Sequence, residues 1–264
     1  MTRIAANLST LFTDVPLLQR FGRARAAGFS AVEVQFPYEH PAAALREQLE
    51  RHGLVMVLHN LPPGDFAAGE RGIACHPGRE AEFREGVAQA VRYAQALGVP
   101  RLNCLCGKVP AGVSEPEIRA TLVANLRFAA QVLADAGLTL LVEPINPFDM
   151  PGFWLNRTAQ ALALIDEVGA PNLRVQYDIY HAQRVEGELA ATLTRHLHRI
   201  GHIQFADNPG RHEPGTGEIH FDFLFRHLQQ LGWQGDLGAE YTPRGRSEDS
   251  LAWLAPLQQL FHGT

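Results

Sequence analysis

Cysteine is scarce in this chain of 264 residues: Cys75, Cys104 and Cys106 cannot pair completely, and a chain of this length needs no disulfide staples. The C-x-C step of Cys104 and Cys106 has no second cluster to complete a zinc site, so it reads as strand packing. No apolar run reaches membrane-spanning length, and MTRIAANLSTLF carries neither a long hydrophobic stretch nor a cleavage site. A cytoplasmic protein without a membrane partner is therefore expected. Basic excess is also missing. The formal net charge is -5, which argues against nucleic acid and means that an anionic substrate needs local help from a metal, Arg or Lys. No linker, low-complexity tract or charge block divides the chain, and charged residues, 19% of the total, are spread along it. G-x-G-x-x-G, G-x-S-x-G and H-E-x-x-H are all absent. The GTGE of the segment ADNPGRHEPGTGEIH lacks the Gly-Lys-Ser/Thr ending of a phosphate loop. Dinucleotide, serine-hydrolase, zincin and P-loop chemistries thus have no support.

What is present is an alternation. Short apolar runs predict strands at Arg3–Asn7, Ala31–Gln35, Val55–His59, Arg101–Cys104, Thr139–Glu143, Arg174–Asp178, His202–Ala206 and Asp236–Tyr241. Between them, helical periodicity predicts Pro16–Ala27, Pro41–His52, Glu80–Leu97, Glu115–Ala136, Thr158–Val168, Gly187–Arg199, Phe221–Leu231 and Ser247–Phe261. The first four stop at Gly28, Gly53, Gly98 and Gly137, as helices commonly do. Eight units of about 33 residues fit a single (β/α)₈ TIM barrel over residues 1–264. A doubly wound open sheet is the competing architecture, but it usually carries a Gly-rich turn after its first strand, where this chain has Leu8-Ser9-Thr10-Leu11-Phe12.

A barrel gathers its chemistry at the C-terminal strand ends. There the sequence places Glu143, Asp178, Gln204 and Glu240 on the last four strands, with His59, a candidate to bind substrate, ending the third and Glu33 in the second. Three carboxylates crowded together repel unless a cation sits among them, and an all-oxygen set suits Mg²⁺ or Mn²⁺ better than zinc. Glu33 reads either as support for that set or as a structural acid. The long Gly- and Pro-rich loop after the third strand offers Arg71, the loop after the fourth Lys108, and the loop after the seventh Arg211; each is a candidate partner for a substrate carboxylate. Phe66, Phe148 and Trp154 flank the same strand ends and are candidates to wall a pocket.

The runs ANLSTLF, FPYEHP, LHNLPPGDFAAGERGIACHPGRE, VEPIN, QYDIYHAQR, HIQFADNPGRHEPGTGEI and AEY together resemble the hydroxypyruvate isomerase family of xylose-isomerase-like TIM barrels, from Ile4 to about Tyr241. The resemblance implies interconversion of hydroxypyruvate and tartronate semialdehyde through an enediol. It implies Glu143 and Glu240 as the proton-transferring pair, and Glu143, Asp178, Gln204 and Glu240 as the metal set. The Asp178-x-x-His181 step is similar to ketose 3-epimerases, which implies His181 and Arg211 as substrate holders. The 2-oxo-tetronate isomerases share ANLS, FPY and HEP..GEI and are the near alternative, although YDIYH, GERGI and ADNP look more like the hydroxypyruvate branch. A small anionic sugar acid is the expected partner, and a homo-oligomer is compatible with the sequence. Apurinic-site DNA endonucleases of the same superfamily resemble a His-rich zinc cluster that this chain lacks. A non-catalytic sugar-acid binder would be expected to lose one of the two glutamates, and both are present.

Overall fold

The computed structural model describes residues 2–262. Eight parallel strands close into one barrel in sequence order: β1 (Ile4–Asn7), β2 (Ala31–Glu33), β3 (Val55–Asn60), β4 (Arg101–Cys104), β5 (Thr139–Val142), β6 (Leu173–Asp178), β7 (Ile200–Phe205) and β8 (Leu237–Ala239). Closure runs through β1 and β8, where Ala5 pairs with Gly238 and Ala6 with Ala239. Around the barrel lie α1 (Leu17–Ala26), α2 (Ala42–His52), α3 (Glu80–Leu97), α4 (Glu115–Asp135), α5 (Thr158–Val168), α6 (Ile179–Val185), α7 (Leu189–His196), α8 (Phe221–Gln230) and α9 (Leu254–His262). No helix among the described residues is long and apolar enough to cross a membrane.

The predicted single TIM barrel is therefore the fold. The differences are local. The expected β2, β5 and β8 are shorter, so Glu143 and Glu240 stand one residue past the ends of β5 and β8. Helix α6 follows β6 without an intervening turn, and seven residues are too few for a periodic signal. Its N-cap is Asp178, whose carboxylate accepts from the Tyr180 amide at 2.9 Å. The last predicted helix begins later, at Leu254, behind a 3₁₀ turn at Ser247–Ser250. The Gly stops hold well: α2 and α3 end at Gly53 and Gly98, both with left-handed backbone.

The apolar core lies mainly between strands and helices. Phe205 is fully buried there, with rings of Phe225 and Trp253 at 5.2 and 5.1 Å. We expect Phe205→Ala to destabilise the fold by ~3–5 kcal/mol, read by denaturant or thermal unfolding, because the outer layer cannot collapse around so large a void. The three cysteines are buried and free, and burial pushes the Cys75 thiol up to about 12. Inside the barrel the apolar cluster is small, comprising Ala5, Ala31, Val57, Leu58 and Leu141. Much of the remaining interior is polar, and that positions the site.

Candidate active site

One phase of each strand faces the barrel axis, and polar side chains at that phase rise toward the C-terminal mouth. Glu143, Asp178, Gln204 and Glu240, predicted to converge, all lie there and are nearly inaccessible to solvent. Each carboxylate is gripped by amide or guanidinium donors. Glu143 Oε2 accepts from Asn103 Nδ2 at 2.8 Å and Gln176 Nε2 at 2.9 Å. Glu240 Oε1 accepts from Asn7 Nδ2 at 2.8 Å and Gln35 Nε2 at 2.6 Å. Arg211 Nη2 donates to Glu240 Oε2 at 2.8 Å and to Asp178 Oδ2 at 3.2 Å. The two glutamates therefore differ. Both oxygens of Glu240 are engaged, whereas Glu143 Oε1 makes only a 4.0 Å approach to His181 Nε2.

The electrostatics follow from burial. Burial raises the Glu143 carboxyl well above the usual range, and the charges of Glu240 and Asp178 push it the same way. Burial raises Glu240 to about 7, although Arg211 pulls it down. Asp178 is also raised by burial, against the pull of Arg211. Burial, Arg211 and Arg184 hold His181 well below the normal imidazole range, so it is a neutral ring. Arg211 stays firmly protonated among Glu240, Asp178 and Glu143 despite its burial. Three buried carboxylates thus share one guanidinium, and the surplus negative charge is what a divalent cation would neutralise. Single ligand atoms of Glu143, Asp178 and His181 lie within 4.8 Å of one another. The donor set fits a metal: two carboxylates and an imidazole, with Glu240 and the Gln204 carbonyl beside them. Among the described residues the triad therefore includes His181, which was expected on the substrate side.

The mouth opens into a cavity of about 100 Å³, walled by Phe36, Leu58, Phe66, Leu105, Ile145 and Met150. Phe66 contributes as expected, packed 5.3 Å from Phe36. Phe148 and Trp154 do not line it. Phe148 is exposed, and Trp154 is buried with its Nε1 donating to Glu115 Oε2 at 3.0 Å.

The predicted substrate-binding residues divide. Arg211 and His181 reach the cavity. Lys108 does not: its Nζ donates to the Gly69 carbonyl at 2.9 Å and ties down the loop after β3. His59 belongs to the cavity wall, with Nδ1 turned to Tyr38 and Nε2 without a hydrogen-bond partner. Glu33 pairs with Leu58 although Val32 pairs with Met56, so β3 holds one extra residue and its phase flips. His59 then falls in register with Leu102 and its ring packs edge-on against Tyr38, with Nδ1 3.2 Å from the Tyr38 hydroxyl. Burial drives this imidazole down to about 4, so it is neutral. Asn60, in register with Asn103, is a second polar β3 residue at the cavity.

Arg71 lines the cavity with its guanidinium 3.7 Å from the Phe66 ring centroid, and its Nη1 donates to the carbonyls of Phe66 and Glu70. The Glu70 carboxylate is taken by Arg79 and not by Arg71. Arg71→Lys should raise KM severalfold with little change in melting temperature if the guanidinium grips substrate. A changed melting temperature with constant KM would make Arg71 a loop brace.

The carboxamides Asn7, Gln35, Asn103 and Gln176 were not singled out in the sequence. Their signal was a lone polar residue inside an otherwise apolar strand end, as in Ile4-Ala5-Ala6-Asn7 and Val175-Gln176-Tyr177.

Residues 21–257 match the xylose isomerase-like TIM barrel family. The chain is 55% identical to a hydroxypyruvate isomerase of Escherichia coli K12 over 97% of this chain and 99% of that protein. It is 49% identical to a 2-oxo-tetronate isomerase of Cupriavidus necator over 97% and 98%. Among solved structures, a Brucella melitensis protein described as an AP endonuclease of family 2 superposes with a TM-score of 0.94 at 44% identity, covering 97% of this chain and 99% of that one.

Proposed function

The chain belongs to the hydroxypyruvate isomerase family of xylose isomerase-like TIM barrels, and from that premise we propose that this sugar-acid isomerase interconverts hydroxypyruvate and tartronate semialdehyde by proton transfer. The observation that carries the reading is that Glu143 and Glu240 line one small cavity, with Glu143 Oε1 free of any close hydrogen-bond donor. Moving a carbonyl by one carbon requires removal of a C–H proton beside a carbonyl, which gives an enediol. Glu143 Oε1 is the atom suited to take that proton, because no donor competes for it. Glu240, raised to about 7, is suited to deliver a proton to the neighbouring carbon or to hold one there. Arg211 is the fork for the substrate carboxylate, supported by His181 and, from the loop after β3, Arg71.

Glu143, Asp178, Gln204 and Glu240, with His181 beside them, are the residues that would hold a divalent cation. When bound, such an ion supplies Lewis-acid stabilisation of negative charge on substrate oxygens. Phe36, Phe66 and Met150 exclude water that would otherwise solvate the carboxylates and scavenge the proton.

A second reading, 2-oxo-tetronate as substrate, is favoured by the 49% identity to the Cupriavidus protein. The experiment that tests the proposal is NMR of the protein with Mg²⁺ and each acid in deuterated solvent. Exchange of the C–H proton beside the carbonyl of hydroxypyruvate, with formation of tartronate semialdehyde, is the expected result. Turnover of 2-oxo-tetronate alone would move the assignment to the second substrate, and exchange with neither would sink the isomerase mechanism.

A further inference from the structure

Beneath the carboxylates a line of polar groups fills the barrel axis. Asp236, at the N-terminal end of β8, accepts from Arg3 Nε at 2.7 Å and from Arg101 Nη1 at 2.5 Å. Arg101 Nη1 also stands 3.4 Å from His202 Nδ1. A guanidinium can only donate, so His202 Nδ1 is the accepting nitrogen and the ring proton sits on Nε2. That Nε2 donates in a short hydrogen bond to Glu33 Oε1. Gly238 on β8 makes the room: a Cβ there would stand 2.3 Å from Glu33 Oε1. The other oxygen, Oε2, accepts from Gln204 Nε2 at 2.9 Å and lies 3.4 Å from Asn7 Nδ2.

A carboxamide is two-faced: one end accepts and the other donates. At the mouth only its oxygen could serve a cation, and its NH₂ would repel one. Glu33, whose two oxygens both accept here, fixes which end of Gln204 points down. We propose that Glu33, held by the Asp236–Arg101–His202 ladder, is a positioning residue that turns the Gln204 carbonyl oxygen toward the carboxylate cluster. The contact of Gln204 Oε1 with Gln176 Nε2 at 2.6 Å, on the side of Glu143, agrees with that orientation. The inference rests on the metal reading given above and adds to it a residue outside the ligand set.

In Glu33→Gln, the new side chain would accept from His202 and turn its own NH₂ toward Gln204. Donor would then face donor, Gln204 would reverse, and its NH₂ would enter the site. Groups that orient metal ligands in this way are typically worth 10–100-fold in affinity. Calorimetric titration of Mn²⁺ into the purified full-length protein should therefore show roughly a 10–100-fold weaker dissociation constant for Glu33→Gln than for the wild type. Glu33→Asp keeps the charge but shortens the reach, and should show the same direction of loss. In a Gln204→Ala background, with no carboxamide left to orient, Glu33→Gln should add less than about a twofold change. The inference is overturned if Glu33→Gln and Glu33→Asp bind Mn²⁺ like the wild type, or if the loss persists undiminished in the Gln204→Ala background. Loss in Glu33→Gln with wild-type affinity in Glu33→Asp would mark a charge effect and overturn it as well. A wild type that takes up no Mn²⁺ sinks the metal reading and this inference together. The first three results leave that reading standing.

Discussion

Glu143→Gln should lower isomerase turnover by roughly 10²–10⁴, the usual worth of a general base. The substitution keeps an oxygen for the Asn103 and Gln176 donors and preserves volume, so folding should survive. It replaces the accepting Oε1, the atom without a hydrogen-bond partner, by a group that cannot take a proton. Glu240→Gln should lose a similar amount, but by a different route. Gln would face Asn7, Gln35 and Arg211, all donors, with a single oxygen. The two variants separate in exchange of substrate hydrogen with deuterated solvent. If Glu143 removes the proton from hydroxypyruvate, Glu143→Gln stops exchange, whereas Glu240→Gln retains some exchange while losing product. Near-wild-type turnover in either variant would reduce that glutamate to a structural or ligand role.

Complete chelation should abolish activity, and Mg²⁺ or Mn²⁺ should restore it. The reason is the charge surplus around Arg211: Glu143 and Asp178 are pushed toward protonation, and Glu240 sits at about 7. A cation requires the ionised forms, so its uptake near neutrality should release protons. The sign follows from the raised values: below about 7 Glu240 retains its proton and metal competes poorly, and above it metal affinity rises. Activity assayed with and without chelator, on protein whose metal content has been measured, decides the matter. Full turnover by a verified metal-free preparation would remove the cation from the proposal.

The barrel was legible because its evidence is redundant. Eight apolar runs and repeated Gly stops all point one way, and errors of a residue or two at β2 or β8 do not alter the topology. The carboxylates were legible for a related reason: Asp178 closes strand six, and Glu143 and Glu240 stand one residue past strands five and eight, where the barrel gathers its chemistry. His59 was harder. Its phase depends on one extra residue in β3, and a bulge is set by backbone pairing with β2, which leaves no mark in the local pattern of VMVLHN. Lys108 and Arg71 stand on loops whose course depends on contacts over long sequence distances, such as Lys108 to Gly69. The carboxamides were hidden because neutral amides carry no charge signal and act only through the carboxylates they hold.

The order of strands around the barrel bears on when this protein can first work. Asn7 comes from β1 and Glu240 follows β8, and they meet through a hydrogen bond only after the first and last strands zip together. A chain emerging from the ribosome can bring together Glu143, Asp178 and their local supports early, yet it lacks its second glutamate until the eighth strand is out. Catalytic competence should therefore arrive in one step with ring closure, and no half-barrel fragment should show a fraction of it. The same bond makes the first and last strands hostage to one another: a chain truncated before Leu237 loses one of the two proposed catalytic glutamates and the seam of the barrel in one event.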